Sequence, residues 1–220
     1  EADLPALDAS IANPHWVVQS KNGDLYIASK KVHAILKVEF NKAGGTSNVF
    51  VIAGTGSPDK GADNVEGTNS ALRSPYSVSL IEDDDGNVIA ILIADSGNHR
   101  VRRLDMTTNI ITTIAGIGTE GSTGDGGLAI DATLNDPYYA YYDKLTGDIF
   151  IVGYGDHKIR RVFKSNDTIT TVVGECRVEG LGDGGKAIDA CLKYPTHFRM
   201  NDAGEWLIAD SGNNVIRKVD

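Results

Sequence analysis

Ala129-Ile130-Asp131-Ala132-Thr133-Leu134-Asn135-Asp136-Pro137 returns almost letter for letter as Ala187-Ile188-Asp189-Ala190-Cys191-Leu192-Lys193-Tyr194-Pro195. Looser copies lie at 6–14 and around Ala71-Leu72-Arg73-Ser74-Pro75. The closing prolines stand at 14, 75, 137 and 195, so one unit recurs about every sixty residues. Other segments keep step. Ile93-Ala94-Asp95-Ser96-Gly97-Asn98 returns as Ile208-Ala209-Asp210-Ser211-Gly212-Asn213, and Gly124-Asp125-Gly126-Gly127 returns as Gly182-Asp183-Gly184-Gly185. The units run 6–70, 71–132, 133–190 and 191–220, the last of them incomplete.

Each unit holds short β-rich runs separated by turn chemistry. In the second unit the runs are Ser77 to Ile81, Val88 to Ala94, Arg100 to Asp105 and Ile110 to Ala115. In the third they are Tyr138 to Tyr142, Asp148 to Val152, Lys158 to Phe163 and Thr168 to Val173. The Ala-Ile-Asp-Ala segments predict one helical turn before each proline. Four antiparallel strands cannot bury both faces of their sheet alone, so neighbouring units must stack as blades. The expected fold is all-β, a propeller of four-stranded blades, with about three and three-quarter blades in this chain. Glu1 to Pro5 are too few and too proline-bound to supply the outermost strand of the last blade. The expectation is therefore a piece of a larger propeller, or two copies that complete one by self-association through open blade faces. A closed four-bladed ring is the remaining arrangement.

Composition excludes several classes of function. Thirty acidic residues against 21 basic ones give a net charge of -9, and no stretch gathers enough Lys and Arg to track phosphates, so no nucleic-acid partner is expected. The longest apolar run, Val88 to Ala94, is too short to cross a bilayer, so no membrane insertion is expected. Cys176 and Cys191 are compatible either with two buried thiols or with one disulfide closing a short loop.

Gly86-Asn87 followed by Ile93-Ala94-Asp95-Ser96-Gly97-Asn98-His99-Arg100-Val101-Arg102-Arg103 resembles the NHL repeat. The third unit carries Gly155-Asp156-His157-Lys158-Ile159-Arg160 at the same place, the fourth Asn213-Asn214-Val215-Ile216-Arg217, and the first a degenerate Ser29-Lys30-Lys31-Val32-His33. The resemblance implies a propeller, most often six-bladed. Its Gly-Asp-Gly-Gly and Ala-x-x-Ala-x-Leu spacers look like those of bacterial-style and teneurin-like arrays, which implies an extracellular, periplasmic or cell-surface sensor or scaffold domain.

A residue that recurs in every unit builds the blade. His33, His99 and His157 share one position and are read as turn or interblade hydrogen-bond residues, Asp95 and Asp210 as acceptors from backbone or a nearby Arg. Arg102-Arg103, Arg160-Arg161 and Arg217-Lys218 recur on the third strand and are read as blade-to-blade contacts. The units disagree just after each marker proline. The first position holds His15, Tyr76, Tyr138 and Thr196; the second Trp16, Ser77, Tyr139 and His197; the fourth Val18, Ser79, Tyr141 and Arg199. The resemblance implies small residues at the second and fourth positions. Aromatic rings with polar handles there suggest a ligand- or partner-binding surface made of His15, Trp16, Tyr76, Tyr138, Tyr139, Tyr141, His197 and Arg199. The alternative is a wide channel filled by bulky side chains.

Enzyme readings have thinner support. His15 sits directly after its proline, where NHL-like peptidyl-amidoglycolate lyases place zinc ligands, but Tyr76, Tyr138 and Thr196 hold the equivalent places. A serine hydrolase lacks its Gly-x-Ser-x-Gly elbow. Calcium, for a hydrolase, would need carboxylates such as Glu82-Asp83-Asp84-Asp85-Gly86-Asn87, which read instead as a solvated hairpin turn. The reading is a non-catalytic binding module for a protein or peptide, with glycan binding as an alternative and no cofactor expected.

Overall fold

The structure is a computed structural model that describes residues 4–5, 11–40, 47–176, 180–201 and 203–220. Packing divides the chain into two compact units, Glu1–Asn98 with Arg102–Thr113, and His99–Val101 with Ile114–Asp220. The part of the loose first repeat copy at 6–10 lies outside the described residues.

Four antiparallel sheets follow one another along the chain. The first contains β1 (Leu4–Pro5), β2 (Pro14–Gln19), β3 (Leu25–Ser29), β4 (Ala34–Glu39) and β5 (Asn48–Ala53) in the order β1-β5-β4-β3-β2. The second contains β6 (Val65–Glu66), β7 (Ser77–Glu82), β8 (Val88–Asp95), β9 (Arg100–Asp105) and β10 (Ile110–Ala115) in the order β6-β10-β9-β8-β7. The third is β11 (Pro137–Tyr142), β12 (Ile149–Gly153), β13 (Lys158–Val162) and β14 (Ile169–Val173), and the fourth is β15 (Pro195–Met200), β16 (Trp206–Asp210) and β17 (Val215–Val219). Expected strand bounds hold within about a residue, and Ala129–Asp131 and Ala187–Asp189 make the expected helical turns as 3-10 helices. Leu4 and Pro5 pair with Val49 and Asn48 on the outer strand of the first sheet.

β8 shows why these strands form a propeller and not a one-sided sheet. From Ala90 to Asp95 every residue is buried, so both faces of the strand are covered. In the first unit one core joins two sheets: Ala28, Ile35 and Ala53 pack with Leu72, Val78, Ile93, Leu104 and Ile111, all without solvent exposure. In the second unit the corresponding core is aromatic, Phe150 and Phe198 stacking at 4.9 Å with Trp206 edge-on to both.

The recurring polar residues tie one repeat to the next. His33, His99 and His157 sit at φ of 51°, 51° and 58°, and their Nδ1 atoms accept the backbone N–H of Ser74, Asp136 and Tyr194 at 3.0, 3.3 and 3.0 Å. Each donor immediately precedes a marker proline of the following repeat. Asp95 Oδ1 accepts the Arg73 N–H at 2.7 Å and its Oδ2 accepts Asn98 Nδ2 at 2.9 Å; Asp210 repeats both bonds with Lys193 and Asn213.

Arg102, Arg160 and Arg217 join each repeat to the one before it: they reach into the preceding unit's spacer, which runs back along the arginine's own sheet. Buried Arg102 binds Ala62 O and Asp63, buried Arg160 binds Thr123 O, Thr133 O and Asp125, and Arg217 binds Leu181 O, Cys191 O and Asp183. The aspartate of the Gly-Asp-Gly-Gly spacer is thus the counter-ion of a third-strand arginine. It also anchors the outer strand, since Asp125 Oδ2 accepts the Thr171 N–H at 2.9 Å and Asp63 accepts the Thr113 hydroxyl at 3.0 Å.

The latch yields a test. His157→Ala should lower stability in chemical denaturation by about 1 kcal/mol, the ordinary value of one hydrogen bond, while His157→Asn, which tolerates the left-handed conformation, should lose less. At His33, burial and then the nearby Arg73 lower the imidazole pKa from its ordinary 6.5. The unfolded chain then binds the proton first, so this latch's contribution should be complete above pH 6.5 and decline as pH falls through the folded pKa. His33→Asn should flatten that slope in urea melts taken from pH 7 to 5.

Candidate functional site

Three of the four marker prolines open a strand with a register shift. Pro14 pairs with Ser29 and Trp16 with Ala28, Pro137 with Gly153 and Tyr139 with Val152, Pro195 with Asp210 and His197 with Ala209. Proline has no N–H for the ladder, and the residue after it bulges out of the pairing. His15, Tyr138 and Thr196 are those residues, so the first of the disagreeing positions sits at the strand mouth by construction.

In the first unit His15 is exposed and its ring lies 4.1 Å from that of Tyr76, over which Lys30 Nζ sits at 5.7 Å. Burial and Lys30 together lower the His15 pKa. Trp16 faces the other way and packs on the core of the unit. These three residues therefore split between a surface cluster and the core.

In the second unit the proposed residues form two sets. Tyr138 stacks on Tyr154 at 4.0 Å, Tyr154 lies 4.9 Å from Tyr194, and Tyr194 meets His157 edge-on at 4.5 Å. Beside them Thr196 and Ser211 exchange a hydrogen bond at 2.7 Å. The other set is deeper: Tyr139, only 9% exposed, lies 4.3 Å from the His197 ring, and Tyr141 is edge-on to Phe198 at 5.4 Å. Burial, then neighbouring Tyr141, pushes the Tyr139 hydroxyl up to about 12, and burial followed by Arg199 lowers His197. Tyr139 and His197 are thus held neutral at pH 7, with the exposed Arg199 as the charged group beside them.

Tyr154 and Tyr194 were not among the candidates. The same repeat comparison points to both, because Tyr154 replaces Ser96 and Ser211, and Tyr194 replaces Asn13, Ser74 and Asp136 before the proline. Tyr194 holds φ at 48°, an uncommon conformation for a bulky side chain. Among the described residues no group of three or more His, Cys, Asp or Glu side chains comes together to hold a metal ion. Asp83 of the carboxylate-rich hairpin is bonded to the backbone and side chain of Asn87, closing the β7–β8 turn.

No protein-family model matches the chain. Over 115 residues, 52% of this chain, it is 32% identical to NHL repeat-containing protein 2 of Gallus gallus, and it spans 14% of that protein's length. An auxiliary nutrient binding protein of Bacteroides thetaiotaomicron superposes with a TM-score of 0.66 at 17% identity, over 93% of this chain and 47% of that one. Virginiamycin B lyase of Staphylococcus aureus superposes with a TM-score of 0.56 at 15% identity, over 99% of this chain and 55% of that one. At such identities the two structures speak for the fold alone. The sequence relative, the repeat signature and the fold agree: the chain is a β-propeller whose repeats are similar to the NHL repeat.

Proposed function

We propose that this chain is a non-catalytic binding module that recognises a protein or peptide through the side chains at the mouths of its first strands. The observation that supports it is the run of rings Tyr138, Tyr154, Tyr194 and His157, half-exposed or exposed and held by backbone that the repeat makes rigid. Large aromatics with polar tips supply contact area at low conformational cost, and they dominate interface energetics. Tyr139, already buried, adds little exposed area to this surface. The propeller serves as a scaffold, and the Cys176–Cys191 disulfide fits an oxidising extracellular or periplasmic setting. No helix among the described residues is long and apolar enough to cross a membrane. The likeness to virginiamycin B lyase speaks for the fold alone.

The test uses a random twelve-residue peptide library panned against the immobilised chain. Selected peptides should lose about 30-fold or more in affinity on Tyr154→Ser or Tyr138→Ser, the equivalent of about 2 kcal/mol, with thermal stability nearly unchanged. Mutants that lose stability and keep their peptides would make the rings channel filler.

A further inference from the structure

The first repeat differs from the others at the turn between β3 and β4. Where the second and fourth repeats carry Asp95-Ser96-Gly97-Asn98 and Asp210-Ser211-Gly212-Asn213, the first carries Ser29-Lys30-Lys31-Val32. The aspartate and the asparagine are replaced, and two lysines stand in the turn. Lys31 occupies a position that is Gly97, Gly155 or Gly212 in the other repeats, where a Cβ would run into Arg73, Asn135 or Lys193. In those repeats the glycine N–H binds the carbonyl two residues before the marker proline; in the first, the Ser29 hydroxyl binds Ala12 O instead, at 2.6 Å. A residue that recurs builds the blade, and these lysines do not recur.

The turn is fixed against the mouths of β2 and β7. Lys30 N–H donates to Asn13 O at 3.2 Å and Ser74 N–H to His33 Nδ1 at 3.0 Å, while Asp95 Oδ1 holds the Arg73 N–H at 2.7 Å and Ala94 O holds the Tyr76 N–H at 2.9 Å. The Lys30 ammonium lies over the Tyr76 ring, and the His15 ring packs on the same tyrosine. Lys31, Arg73 and His15 are exposed, Lys30 and Tyr76 partly so. Among the described residues, Lys30, Lys31 and Arg73 make no ion pair with a carboxylate. After burial, the charge that depresses the His15 pKa is Lys30, and the charge that depresses His33 is Arg73. On a chain of net charge -9 this mouth is a local positive patch.

We propose that this mouth docks a short acidic segment of a partner protein, with carboxylates on Lys30, Lys31 and Arg73 and one aromatic side chain against His15 and Tyr76. Charge complementarity selects the occupant. A long polyanion such as a nucleic acid needs a track of cations, and beyond these three it would meet the negative field of the chain. A short peptide matches the size of the patch, and the paired rings give it an apolar contact. The site rests on its charge and not on an unpaired sheet edge. It lies in the first unit and does not depend on the ring cluster of the second.

The probe is the peptide acetyl-Glu-Glu-Phe-Glu-Glu-amide, titrated into isotope-labelled protein beside its glutamine counterpart and a single-stranded oligothymidylate. Saturable binding with shifts gathered at residues 30–33 and at Tyr76 is expected, and the glutamine peptide should bind far more weakly. Lys30→Ser with Lys31→Gly restores the residues that the second and fourth repeats carry and so keeps the turn. That variant should lose about tenfold or more in affinity for the acidic peptide, and so should the unaltered chain when salt is raised from about 50 to about 300 mM. Tyr154→Ser in the second unit should leave this binding unchanged. Absence of saturable binding, equal binding of the glutamine peptide, undiminished binding by the lysine variant, loss on Tyr154→Ser, or tighter binding of the oligonucleotide would each overturn the proposal.

Discussion

Asp125→Ala should destabilise the second unit by about 3 kcal/mol, among the largest losses available from one surface-accessible side chain. The carboxylate is 40% exposed, but the guanidinium it pairs with is 2% exposed, and the desolvated partner sets the cost. Arg160 would keep its bonds to Thr123 O and Thr133 O and lose its counter-ion, while Thr171 would lose the acceptor of its N–H. Removing both charges together, Asp125→Ala with Arg160→Met, should recover part of the loss, because no buried charge is then left uncompensated. Urea denaturation of the two single variants and the double variant measures the coupling directly. Equal, additive losses would mean that the pair does not act as a unit. Hydrogen bonds from Thr171 and the Arg160 charge hold the Asp125 carboxyl below its ordinary value although burial opposes them, so this contribution should stand above pH 3.8 and be lost as pH falls through the folded pKa.

Asp156→Asn should do the opposite and stabilise the protein at neutral pH. In the second and fourth repeats an aspartate at the strand end, Asp95 or Asp210, accepts from an asparagine three residues on. The third repeat carries Gly153 and Asp156 at these two places, so the carboxylate has moved to the partner position. A Cβ built on Gly153 would lie 1.7 Å from Asp156 Oδ1, which shows that the moved carboxylate fills the space of the missing one. Both of its oxygens are buried without a hydrogen bond of normal geometry, and burial, opposed by Arg160 and Lys158, pushes its pKa up to about 6. The folded state therefore binds the proton more tightly than the unfolded chain. Stability falls as pH rises from 3.8 to about 6, and the penalty at pH 7 is of order 3 kcal/mol at 1.4 kcal/mol per pH unit. The asparagine variant should gain about 2 to 3 kcal/mol at pH 7 and lose the slope between pH 4 and 6. Gly153→Asp alone should be strongly destabilising by clash and by the meeting of two carboxylates, and better tolerated together with Asp156→Asn, whose amide can turn to donate to the new carboxylate as Asn98 does to Asp95. A wild-type stability that is flat from pH 4 to 7 would refute this account.

Much of the blade was legible because its determinants are local. Alternation and Asp-Gly-Asn or Ser-Gly-Asn turns set the strands of the second and third repeats, and the period of the marker prolines set the stacking of units. His33, His99 and His157 were legible as latches for the same reason, since recurrence at one position filters structure from function. The comparison of repeats also contained the exchange of Asp and Asn for Gly153 and Asp156, visible as a broken pattern although its cost is not.

Other features depend on approach through space. Cys176 and Cys191 read equally as thiols or as a disulfide, and the fold decides it by placing their Cα atoms 4.2 Å apart. The third-strand arginines read as contacts between blades, but which groups they meet, Asp63, Asp125 and Asp183 in the preceding unit's spacer, depends on that spacer running back along the arginine's own sheet. Neighbouring positions after each proline were grouped as one surface, but the bulge sends Tyr138 to the strand mouth and Tyr139 into the interior. Tyr154 and Tyr194, far apart in sequence, meet in the same cluster. The repeat and its strands can be read along the chain because they rest on pairing and turns within one repeat, and the latches because they recur at one position although they bind the next repeat. Only the tertiary structure decided which aromatic rings face solvent and which charges are desolvated, because both depend on what the neighbouring sheet and spacer bring against them.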